Sequence, residues 1–184
     1  GEVMEAFRNC FLFNPSSLQA MLDAGILPEL MTNLGPESSI EKLDMLGPVR
    51  LQYNTLLVLS ALTQYKPRVA ANLIENGVLK RFGDVLLAQD HIAKNFLDYD
   101  VTKATCQAVL SLFGIDGDGS HMIGHDPSRG HLNDGSQQAS VLNSSGIMDT
   151  LARKVSAAPK DLDLQDTCRP LLRAWYREPR GGRR

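Results

Sequence analysis

At 184 residues, with 43% hydrophobic and 22% charged residues, the chain can bury a sizeable core or a short run of stacked repeats, and its composition excludes global disorder. A formal net charge of −2 gives no overall attraction to nucleic acid or an acidic membrane, so any such binding has to come from a local patch. Cys10, Cys106 and Cys168 are odd in number and have no C-x-x-C spacing, which argues against a disulfide framework or a cysteine zinc site and favours buried, reduced thiols in a cytoplasmic or nuclear protein.

In chain order, Val3 to Phe13 predicts a helix with Val3, Phe7, Cys10 and Phe11 on one face. The chain starts without methionine and inside this pattern, which reads as a processed chain or a fragment of a larger repeat protein. GEVMEAFRNC lacks the layout of a signal peptide, and no apolar run reaches the roughly 18 to 20 residues of a membrane span. Asn14-Pro15-Ser16-Ser17 stops the first helix and caps a short one to Ala24. Gly25 turns the corner, a helix runs from about Ile26 to Leu34, and Gly35-Pro36 ends it. Val49 to Tyr65 is apolar nearly all round, as expected of a helix buried between layers. Lys66-Pro67 then opens a second unit with a short helix to Asn76, Gly77, a helix to about Gln89, and a third helix from about Val101 to Phe113.

The stretch from Lys66 to Leu86 recurs on both sides of itself. Counted from Gly25, Gly77 and Gly146, apolar residues fall at +1, +2, +5 and +9: Ile26, Leu27, Leu30 and Leu34; Val78, Leu79, Phe82 and Leu86; Ile147, Met148, Leu151 and Val155. The third helices also align with one another, Thr105-Cys106 to Phe113 matching Thr167-Cys168 to Trp175. Internal repetition decides the fold, and this pattern predicts a chain of repeated helical units. Residues 114 to 136, rich in Gly, Asp, Ser and His, read as a flexible loop. Within it, Gly119-Ser120-His121-Met122 reads either as native sequence or as the remnant that tag cleavage leaves.

A proline opening each unit, a glycine between its first two helices and a buried third helix ending in an A-L-x-N-L-like run resemble armadillo repeats. Pro15 to Gly25 and Pro67 to Gly77 share the same spacing. The resemblance implies an all-α, right-handed solenoid of armadillo/HEAT-like three-helix repeats over residues 1–176. A partial unit at 1–13 is followed by units at about 14–65, 66–113 and 137–176. The units are longer than the family's roughly 40 residues, the excess falling in connections. Such proteins hold partners along a groove lined by third helices, where a ladder of asparagines binds a peptide backbone. Here only Asn9 keeps that asparagine. Ala61, Leu112 and Ala174 stand at the later steps, so recognition of an extended basic peptide is disfavoured.

The same register places Leu57, Ala61, Ala108 and Leu112 in the middle of a shallow apolar groove, with Asn9, Asn54 and Arg173 as polar markers at its edges. Tyr176 joins them as a candidate exposed anchor. The expected occupant is an amphipathic helix or peptide of another protein. Self-association through the first helix is an alternative, because another repeat would normally stack there. The basic tail 177–184, with Arg177, Arg180, Arg183 and Arg184, gives a second alternative, a nucleic-acid-associated module.

No P-loop, G-x-S-x-G, H-E-x-x-H or kinase signature occurs, and the chain is read as a non-enzymatic scaffold or adaptor without cofactor or metal. His121, His125, Asp126 and His131 carry ligand-type side chains but read as solvated. Asp116-x-Asp118-x-Ser120 departs from a calcium loop at His121 and Pro127. Asp161, Asp163 and Asp166 are placed before the last helix, where acids complement its positive end.

Overall fold

A computed structural model describes residues 14–35, 46–66, 68–88, 100–115 and 135–177. The helix expected over Val3 to Phe13, the loop ligands and calcium-like stretch, the 119–122 tetrapeptide and the tail beyond Arg177 lie outside these residues. So do Asn9 and Cys10.

The described chain is all-α and mostly helical: α1 (Pro15–Asp23), α2 (Leu27–Asn33), α3 (Leu46–Tyr65), α4 (Arg68–Glu75), α5 (Val78–Ala88), α6 (Val101–Phe113), α7 (Gly135–Ser145), α8 (Ile147–Ala157) and α9 (Leu162–Arg177). No helix among the described residues is long and apolar enough to cross a membrane.

Local chemistry sets the boundaries. Asn14 caps α1 by accepting a hydrogen bond from Ser16 N at 3.0 Å, and Pro15 fills the first turn, where its missing N–H costs nothing. At the other end, Gly25 takes φ +74°, Ile26 N donates to Met21 O at 3.2 Å and Gly25 N to Leu22 O at 3.0 Å. That pair of bonds satisfies carbonyls the helix leaves open and turns the chain straight into α2. Gly77 and Gly146 repeat the left-handed corner at φ +78° and +70°. Asp100 caps α6 through Lys103 N at 2.9 Å, and Asp161 caps α9 through Leu164 N at 2.9 Å. Of the three acids expected ahead of the last helix, Asp161 is therefore its cap, while Asp163 and Asp166 lie inside it.

Two boundaries differ from the sequence reading. Helix α3 starts at Leu46 rather than Val49, because Pro48 in a first turn has no intrahelical bond to lose. Helix α7 starts at Gly135, inside the stretch read as loop.

Packing joins helices of like position. The most extensive contact is between α3 and α6, and α6 in turn packs on α9, so these three lie side by side. Helix α5 packs against α8 beneath them and also touches α6. Phe82, Leu86, Leu112, Phe113, Leu142 and Ile147 are fully buried in the single core cluster that results. Apolar burial of this kind is the main favourable term holding the helices together. Two buried hydroxyls are satisfied within their own helices, Thr63 Oγ1 donating to Leu59 O and Thr105 Oγ1 to Val101 O, whereas the buried Thr55 Oγ1 has no hydrogen-bond partner among the described residues.

Candidate functional site

The α3–α6–α9 layer carries the residues that sequence reasoning singled out, and its cross-helix contacts fix their register. Ser60 Oγ lies 2.6 Å from Ser111 Oγ across the α3–α6 seam, and Gln64 Nε2 donates to Ser111 Oγ at 2.8 Å. At the next seam the Cys106 thiol meets Thr167 O at 3.7 Å, close to Cys168. These are the pairs, Ser60 with Ser111 and Cys106 with Cys168, that the sequence alignment of the third helices superimposes.

The face that this register turns outward differs from the expected one. Asn54, Ala108 and Leu112 are 0%, 2% and 1% exposed, so all three belong to the interior and no partner laid on the layer reaches them. For Ala108 and Leu112 the reason is the position of α6, held between α3 and α9 with α5 against it; a helix enclosed on three sides keeps only one narrow stripe for solvent. On α6 that stripe is Lys103, Gln107 and Leu110, the last two lying one and two residues before the expected Ala108 and Leu112. Helix α3 has more room: Tyr53, Leu57 and Ala61 are half-buried and Gln64 is exposed. Leu57 and Ala61 therefore keep part of their surface open to solvent. Arg173 is exposed on α9, whereas the Tyr176 side chain lies outside what the structure describes. The signal that would have located the stripe on α6 is the i, i+4, i+7 series Lys103, Gln107, Leu110, partly polar in a helix otherwise apolar.

Electrostatically the face is graded. Its α3–α6 half is neutral, with Leu57, Ala61 and Leu110 beside the Ser60–Ser111–Gln64 hydrogen bonds. Its α9 half is charged: Arg169 pairs with Asp166 at 2.5 Å, Lys103 reaches across to Asp163 and back to Asp100 at 3.4 Å, and Arg173 is exposed. The Asp163 hydrogen bond, aided by Asp100 and Asp161, holds the Lys103 ammonium above its ordinary pKa against the opposing effect of partial burial. Contact with Cys168, and then burial, pushes the Cys106 thiol far up, so Cys106 is not set up as a nucleophile.

Comparison with protein-family models gives no match. Neither the curated proteins nor the solved structures give one. What the face can do chemically thus rests on its own residues. Among the described residues no three metal-ligand side chains come together. The partly exposed side chains are apolar on α3 and α6, Leu57, Ala61 and Leu110, with the Gln64 and Gln107 amides exposed beside them and charged residues on α9, a composition that suits surface recognition.

Proposed function

We propose that the chain is a right-handed armadillo- or HEAT-type solenoid acting as a non-enzymatic protein-interaction module. In this reading the outer face of α3, α6 and α9 receives the apolar side of an amphipathic partner helix or peptide. The observation that carries it is the side-by-side stacking of α3, α6 and α9, each following a pair of shorter helices joined at a left-handed glycine. Units that bury their apolar faces only against their neighbours build an extended surface, and such surfaces serve recognition. The neutral strip of Leu57, Ala61 and Leu110 matches the i, i+3, i+4 apolar anchors of a helix, and Gln64 and Gln107 supply the polar rim. Cytoplasm or nucleus fits the reduced, buried Cys106 and Cys168.

The test is affinity capture with the wild-type chain, a Leu57→Glu/Leu110→Glu variant and a Glu75→Lys control whose change lies on α4. Circular dichroism first establishes equal helicity. Proteins retained by the wild type and the control and lost with the double variant support the reading. Identical capture by all three removes it.

A further inference from the structure

A cleft of about 300 Å³ opens between α2 and the α4–α5 pair, away from the outer face described above. Leu27, Met31 and Leu73 give it an apolar side, and Asn72, Asn76 and Arg81 a polar one. Its hydrogen-bonding inventory is one-sided. Asn76 Nδ2 donates to Asn72 O at 2.7 Å and to Asn72 Oδ1 at 3.3 Å, and the Thr32 hydroxyl on the opposite wall donates to Pro28 O at 3.0 Å. Among the described residues nothing accepts from the Asn72 amide nitrogen or from the Arg81 guanidinium. The Arg81 group lies over the end of α2, with Nη1 3.7 Å from where a side chain on Gly35 would begin. Carbonyls at a helix C-terminus favour a cation there, yet leave its remaining donors available.

The repeat does not require this polarity. Arg81 stands four residues after Gly77; the equivalent residues after Gly25 and Gly146 are Glu29 and Thr150. Asn72 corresponds to Ala20 and Val141. At the following joint α5 packs directly on α7 and α8, closing over the buried Leu142 and Thr150. Among the described residues the α2/α4–α5 joint combines an opening with an unmatched guanidinium and an amide donor.

We propose that this cleft binds a carboxylate borne on a short apolar body, supplied by a glutamate flanked by leucine-type residues in a peptide partner. The guanidinium fork donates two parallel hydrogen bonds to a carboxylate, and the Asn72 amide nitrogen donates a third. Leu27, Met31 and Leu73 take the hydrocarbon. A volume of about 300 Å³ is at the lower end of ligand sites and suits one or two side chains rather than a nucleotide. The site is separate from the outer third-helix face and stands whether or not that face binds anything.

The experiment titrates the full chain, carrying 13C-methyl methionine, with a capped Ala-Leu-Glu-Leu-Ala peptide, its glutamine counterpart and hexanoate, following the Met31 methyl resonance. The glutamate peptide shifts Met31 and the glutamine peptide does not; Arg81→Gln weakens binding about tenfold or more, and Arg81→Lys, which keeps charge without the fork, weakens it less. Equal shifts from both peptides overturn the proposal, as does affinity unchanged in Arg81→Gln. Hexanoate moving Met31 while the glutamate peptide leaves it still would also overturn it, making the site one for a free organic acid. The comparison of the two peptides on the unaltered chain decides the matter even where an Arg81 variant fails to fold.

Discussion

Replacing Leu112 by alanine separates the interior of the third-helix layer from its surface, because Leu57, on the neighbouring helix and half-buried, is chemically the same residue. Leu112 is 1% exposed and belongs to the set of fully buried large side chains. Removing such a leucine costs the transfer energy of the lost methyl and methylene groups plus the cavity left behind, about 2 to 5 kcal/mol. At Leu57 solvent or neighbouring side chains can fill the vacated space, and only part of the side chain was removed from water. Its cost is about 1 kcal/mol, from the usual ~25 cal/mol per Å² of apolar area. Urea unfolding followed by circular dichroism measures both. With a urea slope of about 2 kcal/mol/M, Leu112→Ala lowers the midpoint by about 1 to 2.5 M and Leu57→Ala by about 0.5 M. Equal midpoints for the two variants, or a larger loss at Leu57, would refute the assignment of Leu112 to the core and of Leu57 to the outer face.

Gly25→Ala, Gly77→Ala and Gly146→Ala should each cost about 1 to 2 kcal/mol by thermal unfolding; a side-chain carbon at any of the three meets nothing within 4 Å, so the cost is the left-handed backbone alone, and asparagine there should cost less. Ser111→Ala removes the shared partner of Ser60 and Gln64 and should destabilise by about 1 to 2 kcal/mol, with most of that loss recovered in the Ser60→Ala/Ser111→Ala double variant if the two hydroxyls act as a pair. Because folding raises the Lys103 pKa above its ordinary 10.5, the stabilisation from its ion pairs is fully present below that value and disappears as pH rises through the raised one. The urea midpoint difference between wild type and Lys103→Met, worth at most about 1 kcal/mol, should therefore be flat from about pH 6 to about pH 9 and shrink in stronger alkali. In a Cys10→Ser background, Cys106 and Cys168 should react with a thiol reagent only as fast as the protein unfolds; rapid labelling of either in native buffer would contradict their burial.

Glycine and proline made most of the helix order readable. The left-handed corners at Gly25, Gly77 and Gly146 fall where the repeat alignment puts glycine, and α6 runs from Val101 to Phe113 as its pattern predicts. Proline was the less reliable marker, since Pro48 sits inside the first turn of α3 and Pro170 inside α9. The outward face of the third helices was legible only in part. Alignment paired the third helices correctly, as the Ser60–Ser111 contact demonstrates, but pairing does not say which side of a helix is outward. Ala61 and Leu112 share one aligned position, yet Ala61 is half-buried and Leu112 is core, because α6 has a helix on each side. In a helix apolar nearly all round, periodicity carries little information about orientation. The cleft at Arg81 was invisible to pattern reading for a different reason: its walls come from α2 and α4–α5, about 45 residues apart in the chain, and each of its residues is unremarkable alone.

The central claim, that the outer face of α3 and α6 is where another protein binds, is tested most directly by site-specific photo-crosslinking in cells. Benzoyl-phenylalanine is placed singly at Leu57, Gln107 and Leu110, and for comparison at the exposed Glu75 and Ser156. The account predicts one adduct of common mass from the first three positions and none from the last two. Adducts confined to Glu75 or Ser156, or spread evenly over all five, would contradict it.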